Sequence, residues 1–414
     1  MASTSTTRRT GTLLASHGRS LAANTGTRTH ALIRSRAVGP RASLRRYAQV
    51  GSTTFLGVPP SAPGPAPLPR AAASPHPTSQ VRPFDANVLS ELQRAASEHT
   101  GPSAESAAAS GSALTPLTEL VEQYMKRAGQ VLGASLPYES RPNDERRVQF
   151  SRDATDAHAE VSTADGALFM VAHAVHDRTG KHKITYSSGF AVHAPGTADG
   201  QTALVTCAHT LEEIRHDPLL RAARPSPAVP NGELLSGSFV IAGPSATPTF
   251  HPVSSILSAM HRGDLLLLSS PSASSGLRSL PVNPYPVHPG TPIRAHFVAD
   301  KPPETGPHRD GWTPWVGGTW RKWIKGTVVG YRDYAGREAK PGTYDSLAHL
   351  HFDPPPTPGS SGGPIIDEES GSVIGVILGT QLVNQVEGVR GWGVPAEMVY
   401  EMFSLPGLKL KSQA

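Results

Sequence analysis

The sequence has little of several residue types, and each shortage excludes a class of protein. Cys207 is the only cysteine among 414 residues, which excludes an intramolecular disulfide framework and a zinc site built from cysteines. No run of 18 apolar residues occurs, so no membrane-spanning helix is predicted. Residues 1–84 contain no Asp, Glu or Lys but eleven Arg, a charge of +11, whereas 27 basic and 33 acidic residues follow, a charge of −6. The net negative charge of residues 85–414 argues against nucleic-acid binding, which needs a basic surface to displace counterions from phosphates.

Glycine and proline are abundant, with 40 residues of each, which predicts many turns and argues against a helical bundle. Beyond residue 146, short β-type runs alternate with turns that contain Gly, Pro or Asp. The runs lie at 167–174, 184–192, 203–206, 238–242, 265–268, 293–298, 326–331, 347–352 and 372–378. Since no long helical pattern separates them until 396–403, they predict an antiparallel barrel or sandwich over 146–405, followed by a tail at 406–414.

The Arg-rich, acid-free start of the chain is typical of a mitochondrial transit peptide. Leu44-Arg45-Arg46-Tyr47-Ala48 resembles a matrix-peptidase cleavage site, so we predict that residues 1–47 are removed and that the protein is mitochondrial. The alternative is a basic tail without targeting value on a cytoplasmic protein. Residues 48–113 are predicted to be a disordered linker rich in Pro, Ala and Ser, because such a composition buries too little apolar surface to offset its ordering entropy.

Two helical patterns precede the β-rich region. A short helix is predicted near 86–98, within the linker, and a helical extension over 114–145, with Thr115 before Pro116 as its start signal. The favoured interpretation of the second helix is docking on the main domain, and a partner-binding helix is the alternative. Its apolar residues at helical spacing are Leu117, Leu120, Val121, Tyr124, Met125, Ala128, Val131 and Leu132.

The segment Gly359-Ser360-Ser361-Gly362-Gly363-Pro364 carries a candidate nucleophile. Glycines around Ser361 permit a tight turn that exposes the side-chain Oγ and brings backbone N–H groups together. The segment also matches the G-x-S-x-G turn of α/β-hydrolases, in which the catalytic histidine follows the serine. None of the 18 histidines lies after residue 351, which excludes that fold, so a base for Ser361 must come from upstream.

Two upstream segments supply such a base and its partner. Leu204-Val205-Thr206-Cys207-Ala208-His209 is an apolar strand that ends at a histidine, and Asp264 leads directly into four leucines. A carboxylate buried beside leucines is destabilising unless it has a partner, and an imidazole N–H is one. The order His209, Asp264, Ser361 is that of the chymotrypsin-type catalytic triad.

Residues from about 165 to 403 resemble a chymotrypsin-fold (PA-clan) serine protease and are most similar to its Deg/HtrA branch. The resemblance implies an all-β fold of two antiparallel six-stranded β-barrels with the site between them, together with N-terminal helices and a C-terminal helix. It rests on Ser188-Gly189-Phe190, Thr206-Cys207-Ala208-His209, Asp264, Pro358-Gly359-Ser360-Ser361-Gly362-Gly363-Pro364 and Gly391-Trp392-Gly393-Val394-Pro395.

The resemblance also implies roles for these residues. Ser361 attacks the peptide carbonyl, His209 takes and returns the proton, and Asp264 orients His209. The backbone N–H groups of Gly359 and Ser361 receive the oxyanion. The expected activity is that of a serine endopeptidase on protein or peptide substrates, with no metal or cofactor required.

The sequence departs from several relatives. Ser360 stands where digestive-type enzymes have Asp, and Thr210 where they have Cys, so neither zymogen activation nor disulfide stapling is implied. Too few residues follow the domain for the PDZ domain of Deg/HtrA proteases, and we expect regulation through that domain to be absent. The intervals of 55 residues from His209 to Asp264 and 97 from Asp264 to Ser361 predict enlarged loops at 222–237 and 301–320.

By the same resemblance, the floor of the primary specificity pocket lies at Pro355. Its walls are Ile377-Leu378-Gly379-Thr380 and Trp392-Gly393-Val394, which are uncharged. A cationic side chain would enter without a counter-charge, so we expect cleavage after Val, Leu, Ala or similar residues. Asp353 is expected to brace the active-site loop, although a loop shift would bring its carboxylate to the pocket floor.

The remaining candidates have simpler interpretations. His173 and His176 point to opposite faces of a strand and are predicted to be ordinary surface histidines. His349 and His351 share a strand face but have no identifiable third ligand. Cys207 is predicted to be a small buried strand residue rather than a redox-sensitive thiol. Two other functions compete with proteolysis. One is a catalytically silent peptide-binding scaffold, against which the intact triad argues, and the other is an adaptor in which the Pro-rich segment and the helices matter more than the barrel.

Overall fold

The computed structural model describes residues 82–99, 114–152, 160–197, 200–222, 234–244, 246–274, 276–301 and 311–405. The predicted transit peptide, its cleavage site and most of the predicted linker lie outside these residues. So do the tail at 406–414 and the central parts of the two predicted loops, 223–233 and 302–310.

Strands make up most of the regular structure, and each of the nine predicted β-type runs overlaps a strand, although three of them begin one or two residues before it. The strands are β1 (Leu132–Ser135), β2 (Phe150–Arg152), β3 (Glu160–Ser162), β4 (Leu168–His176), β5 (His182–Thr197), β6 (Gly200–Cys207), β7 (Leu235–Ala242), β8 (Thr249–Pro252), β9 (Ser255–Met260), β10 (Leu265–Ser269), β11 (Pro292–Ala299), β12 (Thr313–Pro314), β13 (Trp320–Arg332), β14 (Glu338–Ala339), β15 (His349–Asp353), β16 (Pro364–Asp367), β17 (Val373–Asn384), β18 (Gly388–Pro395) and β19 (Phe403–Ser404).

Helices are fewer and mostly short. They are α1 (Pro83–His99), α2 (Leu117–Lys126), α3 (His209–Arg215), α4 (Pro218–Ala222), α5 (Pro271–Ser274) and α6 (Glu397–Tyr400). None of those in the described ranges is long and apolar enough to cross a membrane.

The C-terminal half forms a closed antiparallel barrel of six strands. The strand order is β11-β16-β17-β18-β15-β13, and β13 pairs again with β11. Alternation along β15 directs Leu350 and Phe352 into the barrel core, where they pack with Ile365 and Ile377. One of the two predicted six-stranded barrels is thereby confirmed.

The N-terminal half is a seven-stranded antiparallel sheet with the order β8-β7-β4-β5-β6-β10-β9. Its edge strands β8 and β9 do not pair with each other among the described residues, so closure of the second barrel stays a prediction. The sheet is buried on both faces at β10, because Leu265 and Leu267 enter one apolar cluster and Leu266 and Leu268 enter the other. This two-sided burial explains the unbroken run of leucines.

The helix α1 differs from its prediction in length and in environment. It spans 83–99 rather than 86–98, and it packs against the N-terminal sheet instead of belonging to a disordered linker. Its inward face follows the i, i+4 rhythm of an amphipathic helix. The buried side chains on this face are Phe84, Val88, Leu92 and Ala95.

The helix α2 docks on the main domain, as predicted, through Leu117, Leu120, Val121 and Tyr124. Two details of the prediction are wrong. The helix ends at Lys126, so Val131 is exposed and residues 127–145 are not a helical extension. Thr115 does not cap the helix, because its Oγ1 donates to the carbonyl O of Ser254.

The predicted C-terminal helix at 396–403 is also wrong in extent. Only Glu397–Tyr400 is α-helical, and Phe403–Ser404 forms β19, which pairs in parallel with β1. Because β1 and β19 are about 270 positions apart in the chain, no local pattern in either segment reveals this pairing.

Candidate active site

His209 and Asp264 meet where the paired strands β6 and β10 end. Cys207 at the end of β6 lies opposite Leu265 at the start of β10, so the residues just beyond each strand come together. His209 Nδ1 is 2.5 Å from Asp264 Oδ2, and Asp264 Oδ1 accepts a hydrogen bond from the Ala208 N–H at 3.1 Å. The carboxylate is thereby oriented by the backbone next to the histidine that it contacts.

The backbone of Asp264 has an unusual conformation. Its φ of 51° and ψ of 37° lie in the left-handed region, and no other non-glycine residue in the described ranges has a positive φ. Aspartate enters this region more readily than most residues, but the conformation still costs stability and is common at functional sites. The Asp264 carbonyl also accepts the Ala208 N–H at 2.9 Å, which joins the two segments a second time.

Two opposing effects act on the pKa of His209. Desolvation by burial lowers it, whereas the hydrogen bond from Nδ1 to Asp264 raises it, with a further contribution from the nearby Cys207 sulfur. Desolvation is the largest single effect, but the contributions of Asp264 and Cys207 together outweigh it, and the pKa of His209 lies above its ordinary value. The cationic imidazolium is therefore stabilised at this position.

The Ser361 turn lies against the N-terminal sheet. Gly359 and Gly362 have φ values of +91° and +83°, and a Cβ on Gly362 would approach the Ser188 carbonyl O to 2.2 Å. The same Cβ would lie 2.7 Å from Thr206 Oγ1 and 2.9 Å from the Cys207 N, two residues before His209. Glycine is required here because the turn is pressed against the strand that leads to the histidine.

Ser188 on β5 makes two hydrogen bonds to the backbone of this turn. Its backbone N–H donates to the Ser361 carbonyl at 2.8 Å, and its Oγ donates to the Gly359 carbonyl at 2.9 Å. The segment Ser188-Gly189-Phe190 marked a resemblance in the sequence, but nothing there assigned Ser188 this role. The structure thus brings Ser361 to the same edge of the N-terminal sheet as His209 and Asp264.

The Ser361 hydroxyl has a partner other than histidine in this conformation. Its Oγ donates to the Leu378 carbonyl at 2.8 Å. No hydrogen bond joins Ser361 to His209 in the part of the chain that the structure describes. The polar atom next to His209 Nε2 is instead the Cys207 Sγ, at 3.7 Å. Cys207 is completely buried, as predicted, so its sulfur is shielded from a substrate carbonyl.

Residues 187–376, which include all three predicted catalytic residues, match the family model described as a trypsin-like peptidase domain. This part of the chain is a trypsin-like peptidase domain. Membership supports a protease of the serine type acting on proteins or peptides. No curated protein matches the chain.

Several solved structures are similar to the chain at low identity. The apo protease domain of MamO from Magnetospirillum magneticum is 16% identical, with 57% of this chain and 95% of that one covered and a TM-score of 0.32. Deg5 is 17% identical, with 57% and 86% covered and a TM-score of 0.35. An inactive mutant form of Rv3671c from M. tuberculosis H37Rv is 15% identical, with 64% and 93% covered and a TM-score of 0.34. Overlaps of this size do not define a function.

The two backbone N–H groups that are predicted to bind the oxyanion, those of Gly359 and Ser361, have no hydrogen-bond acceptor among the described residues. Between them, Ser360 is fully buried, and its Oγ accepts the Val298 N–H at 2.9 Å. Where digestive relatives carry an aspartate, this chain therefore has a neutral side chain that anchors the turn to β11.

The predicted pocket walls lie on neighbouring strands, because β17 pairs with β18. Leu378 is buried, Thr380 is exposed, and the space beside Gly379 is open. A Cβ on Gly393 would lie 2.4 Å from the Val376 carbonyl, so this wall follows its neighbour closely. Pro355, the predicted floor, is exposed, and its role stays a prediction.

The Asp353 carboxylate forms an ion pair and is not free to serve as a counter-charge. Its Oδ1 accepts a bond from Arg390 Nη1 at 3.1 Å, which links the end of β15 to β18. This contact agrees with the expectation that Asp353 braces the loop leading to Ser361. Nearby, the Phe352 ring occupies the space beside Gly391, where a Cβ would approach it to 2.5 Å.

Other candidate histidines do not assemble into a site. His173 is not a surface residue as predicted, since it is fully buried and its Nδ1 lies 2.7 Å from Ser238 Oγ. Desolvation lowers the pKa of His173 to about 3, so the ring is neutral. His349 Nδ1 accepts from the Trp392 indole N–H at 3.1 Å. Within the described ranges, no three His, Cys, Asp or Glu side chains are grouped to hold a metal ion.

Proposed function

We propose that the peptidase domain is a serine endopeptidase that hydrolyses peptide bonds through an acyl-enzyme intermediate. The observation that carries the proposal is the 2.5 Å contact of His209 Nδ1 with Asp264, beside a glycine-flanked turn that presents Ser361. Nδ1 bound to the carboxylate leaves Nε2 as the nitrogen that accepts a proton.

The mechanism begins with rotation of the Ser361 hydroxyl from the Leu378 carbonyl toward His209 Nε2. Nε2 takes the hydroxyl proton as Oγ bonds to the peptide carbonyl carbon, and Asp264 stabilises the resulting imidazolium. The N–H groups of Gly359 and Ser361 receive the oxyanion, and one such donor is typically worth about 3 kcal/mol. Collapse breaks the C–N bond, and the departing amine takes the proton from Nε2. Water then attacks the acyl carbon by the same route and releases Ser361.

One observation favours the alternative of a catalytically silent, peptide-binding scaffold. The Ser361 Oγ bonds to the Leu378 carbonyl, and Cys207 rather than Ser361 lies next to Nε2. A fluorophosphonate separates the two functions, because only a serine activated by a base reacts with it. We expect the purified full-length protein to be labelled at Ser361, and an unlabelled protein that still binds peptides would establish the scaffold.

We further propose that the enzyme cleaves after aliphatic residues. The walls contributed by Leu378, Gly379, Thr380 and Gly393 carry no charge, and Asp353 is engaged by Arg390. A Lys or Arg side chain would lose its hydration without gaining a buried counter-charge, whereas burying a Val or Leu side chain contributes about 1.5–3 kcal/mol.

Cleavage of a denatured protein mixture, followed by mass spectrometry of the products, is expected to show most cuts after Val, Leu or Ala. A majority of cuts after Lys or Arg would contradict this specificity. In that case Asp353→Asn should abolish the basic preference, since the Asp353 carboxylate lies two positions before the predicted floor at Pro355.

We also propose that residues 1–47 direct the protein to mitochondria. Mature protein recovered from cells is expected to begin at Ala48 and to fractionate with mitochondria, as measured by N-terminal sequencing. Arg45→Ala should prevent cleavage at this position, whereas Arg36→Ala, a matched loss of charge farther from the cut, should not. Recovery of only full-length protein in the cytosol would contradict the proposal.

A further inference from the structure

The first turn of α1 is linked by a chain of contacts to Gly359, one of the two predicted oxyanion donors. The connection runs through Tyr186 on β5, whose ring faces Gly359. A Cβ on Gly359 would lie 2.9 Å from Tyr186 Cε2, so the ring and the glycine backbone are in direct contact. Tyr186 therefore limits how the peptide unit at Gly359 can be oriented.

Residues of α1 and of the loop just before it hold the Tyr186 ring in place. The Phe84 ring packs on it with centroids 5.0 Å apart, and the Arg82 guanidinium lies 6.0 Å from the ring centroid. Phe84 in turn fits closely against Gly317, whose φ is +65° and where a Cβ would approach the phenyl ring to 2.3 Å. The Phe84 ring is therefore packed between the Tyr186 ring and the backbone of Gly317.

A polar tether fixes the Tyr186 hydroxyl. It donates to Asp300 Oδ1 at 2.5 Å, and Arg82 Nη1 lies 3.4 Å from the other Asp300 oxygen. Arg82 is itself held by two hydrogen bonds of 2.9 Å to Asp85 in α1. Burial and then the bond to Asp300 raise the pKa of Tyr186, so the hydroxyl keeps its proton and remains the donor.

The tether ends next to the strand that anchors the nucleophile turn. Asp300 directly follows β11, which contains Val298. The Val298 N–H donates to Ser360 Oγ, and the Val298 Cγ1 would lie 3.6 Å from a Cβ on Gly359. Helix α1 cannot easily shift relative to this point, because Val88 and Leu92 anchor it in the core.

We propose that Arg82 and Phe84 are positioning residues for the oxyanion hole, which act through Tyr186 to orient the Gly359 N–H. This inference rests on the proposed protease function and deepens it. A segment outside the matched peptidase region, 187–376, thereby becomes part of the catalytic apparatus without touching the substrate. The effect is confined to the transition state, because the oxyanion forms only there.

The test compares steady-state kinetics of Phe84→Ala, Tyr186→Ala, their double variant and Arg82→Gln on a peptide with an aliphatic residue before the cleaved bond. Loss of a whole oxyanion donor lowers kcat by about 10²–10³-fold, so a misoriented donor is expected to lower it by about 10–100-fold. The KM should change less than about twofold. Affinity for a peptide aldehyde, whose adduct carries the oxyanion, should fall in parallel with kcat.

Three comparisons separate positioning from general damage. Arg94→Ala removes an ion pair with Glu91 on the same helix, away from Tyr186, and should leave kcat unchanged. Tyr186→Phe keeps the ring on Gly359 and should retain more activity than Tyr186→Ala. Because Phe84 acts through Tyr186, the double variant should be no slower than Tyr186→Ala alone.

Several results would overturn the inference. An unchanged kcat in folded Phe84→Ala and Tyr186→Ala, or an equal loss in Arg94→Ala, would show that the contact is only structural. If Phe84→Ala does not fold, Arg82→Gln decides, since Arg82 is half-exposed and its replacement leaves the buried face of α1 intact. If the unmodified protein reacts with no fluorophosphonate, the proposed function fails as well. If it reacts normally and the variants match it, only this inference fails.

Discussion

Replacement of Ser361 by alanine is expected to abolish fluorophosphonate labelling and to lower turnover by about 10⁴-fold or more. The hydroxyl is the group that forms the acyl-enzyme, and Ser360, the other serine of this turn, is fully buried with its Oγ bonded to the Val298 N–H. The fold should be retained, because the Ser361 side chain makes one hydrogen bond, to the Leu378 carbonyl. Labelling is measured by intact mass, and the fold by the thermal unfolding midpoint.

The matched control is Cys207→Ala, which removes the sulfur nearest to His209 Nε2. Labelling of this variant should persist, because a fully buried thiol cannot reach the probe or a substrate. Labelling that survives in Ser361→Ala but disappears in Cys207→Ala would reverse the assignment of the nucleophile.

Asp264→Asn is expected to lower turnover by about 10⁴-fold while leaving Ser361 in place. An amide in this position no longer stabilises the imidazolium, and it favours the wrong His209 tautomer. Asp333→Asn, the same substitution in the exposed turn between β13 and β14, should leave kcat unchanged. An Asp264→Asn enzyme with nearly full turnover would contradict the role of Asp264.

The pH profile gives Asp264→Asn a second readout. His209 acts as a base only when neutral, so kcat/KM rises as pH increases through its pKa. Because the pKa of His209 is raised in the intact enzyme, this acid limb should lie above the value of an ordinary histidine. Removing the carboxylate removes the main cause that raises it, so the limb of Asp264→Asn should move to lower pH. An unmoved limb would show that Asp264 does not set the basicity of His209.

The candidate site residues could be named from the sequence because their signals are local. Ser361 lies among glycines that a tight turn requires, His209 closes an apolar strand, and Asp264 opens one. The absence of any histidine after residue 351 excluded the one competing turn motif. The strands were predictable for a similar reason, since β-type runs between turn residues mark them without knowledge of their partners.

The errors fall where long-range contacts override local patterns. His173 was predicted to be on the surface, but it is buried in β4, which pairs with β7, where its hydrogen-bond partner Ser238 lies 65 residues away. The apolar pattern after Lys126 continues at helical spacing, yet the chain leaves the helix there, and Leu132 starts a strand that pairs with Phe403.

By itself, the sequence determined the β-rich class and the order of the three candidate catalytic residues, because turn glycines, apolar strands and a lone acid at the start of an apolar strand follow local rules. Only the tertiary structure decided how these residues are supported. Ser188 holds the nucleophile turn from another sheet, and Phe84 reaches Gly359 through Tyr186 from a helix that composition assigned to a linker. Such contacts join positions more than a hundred residues apart. They depend on how side chains from distant segments fit together in the folded protein, which no local sequence pattern records.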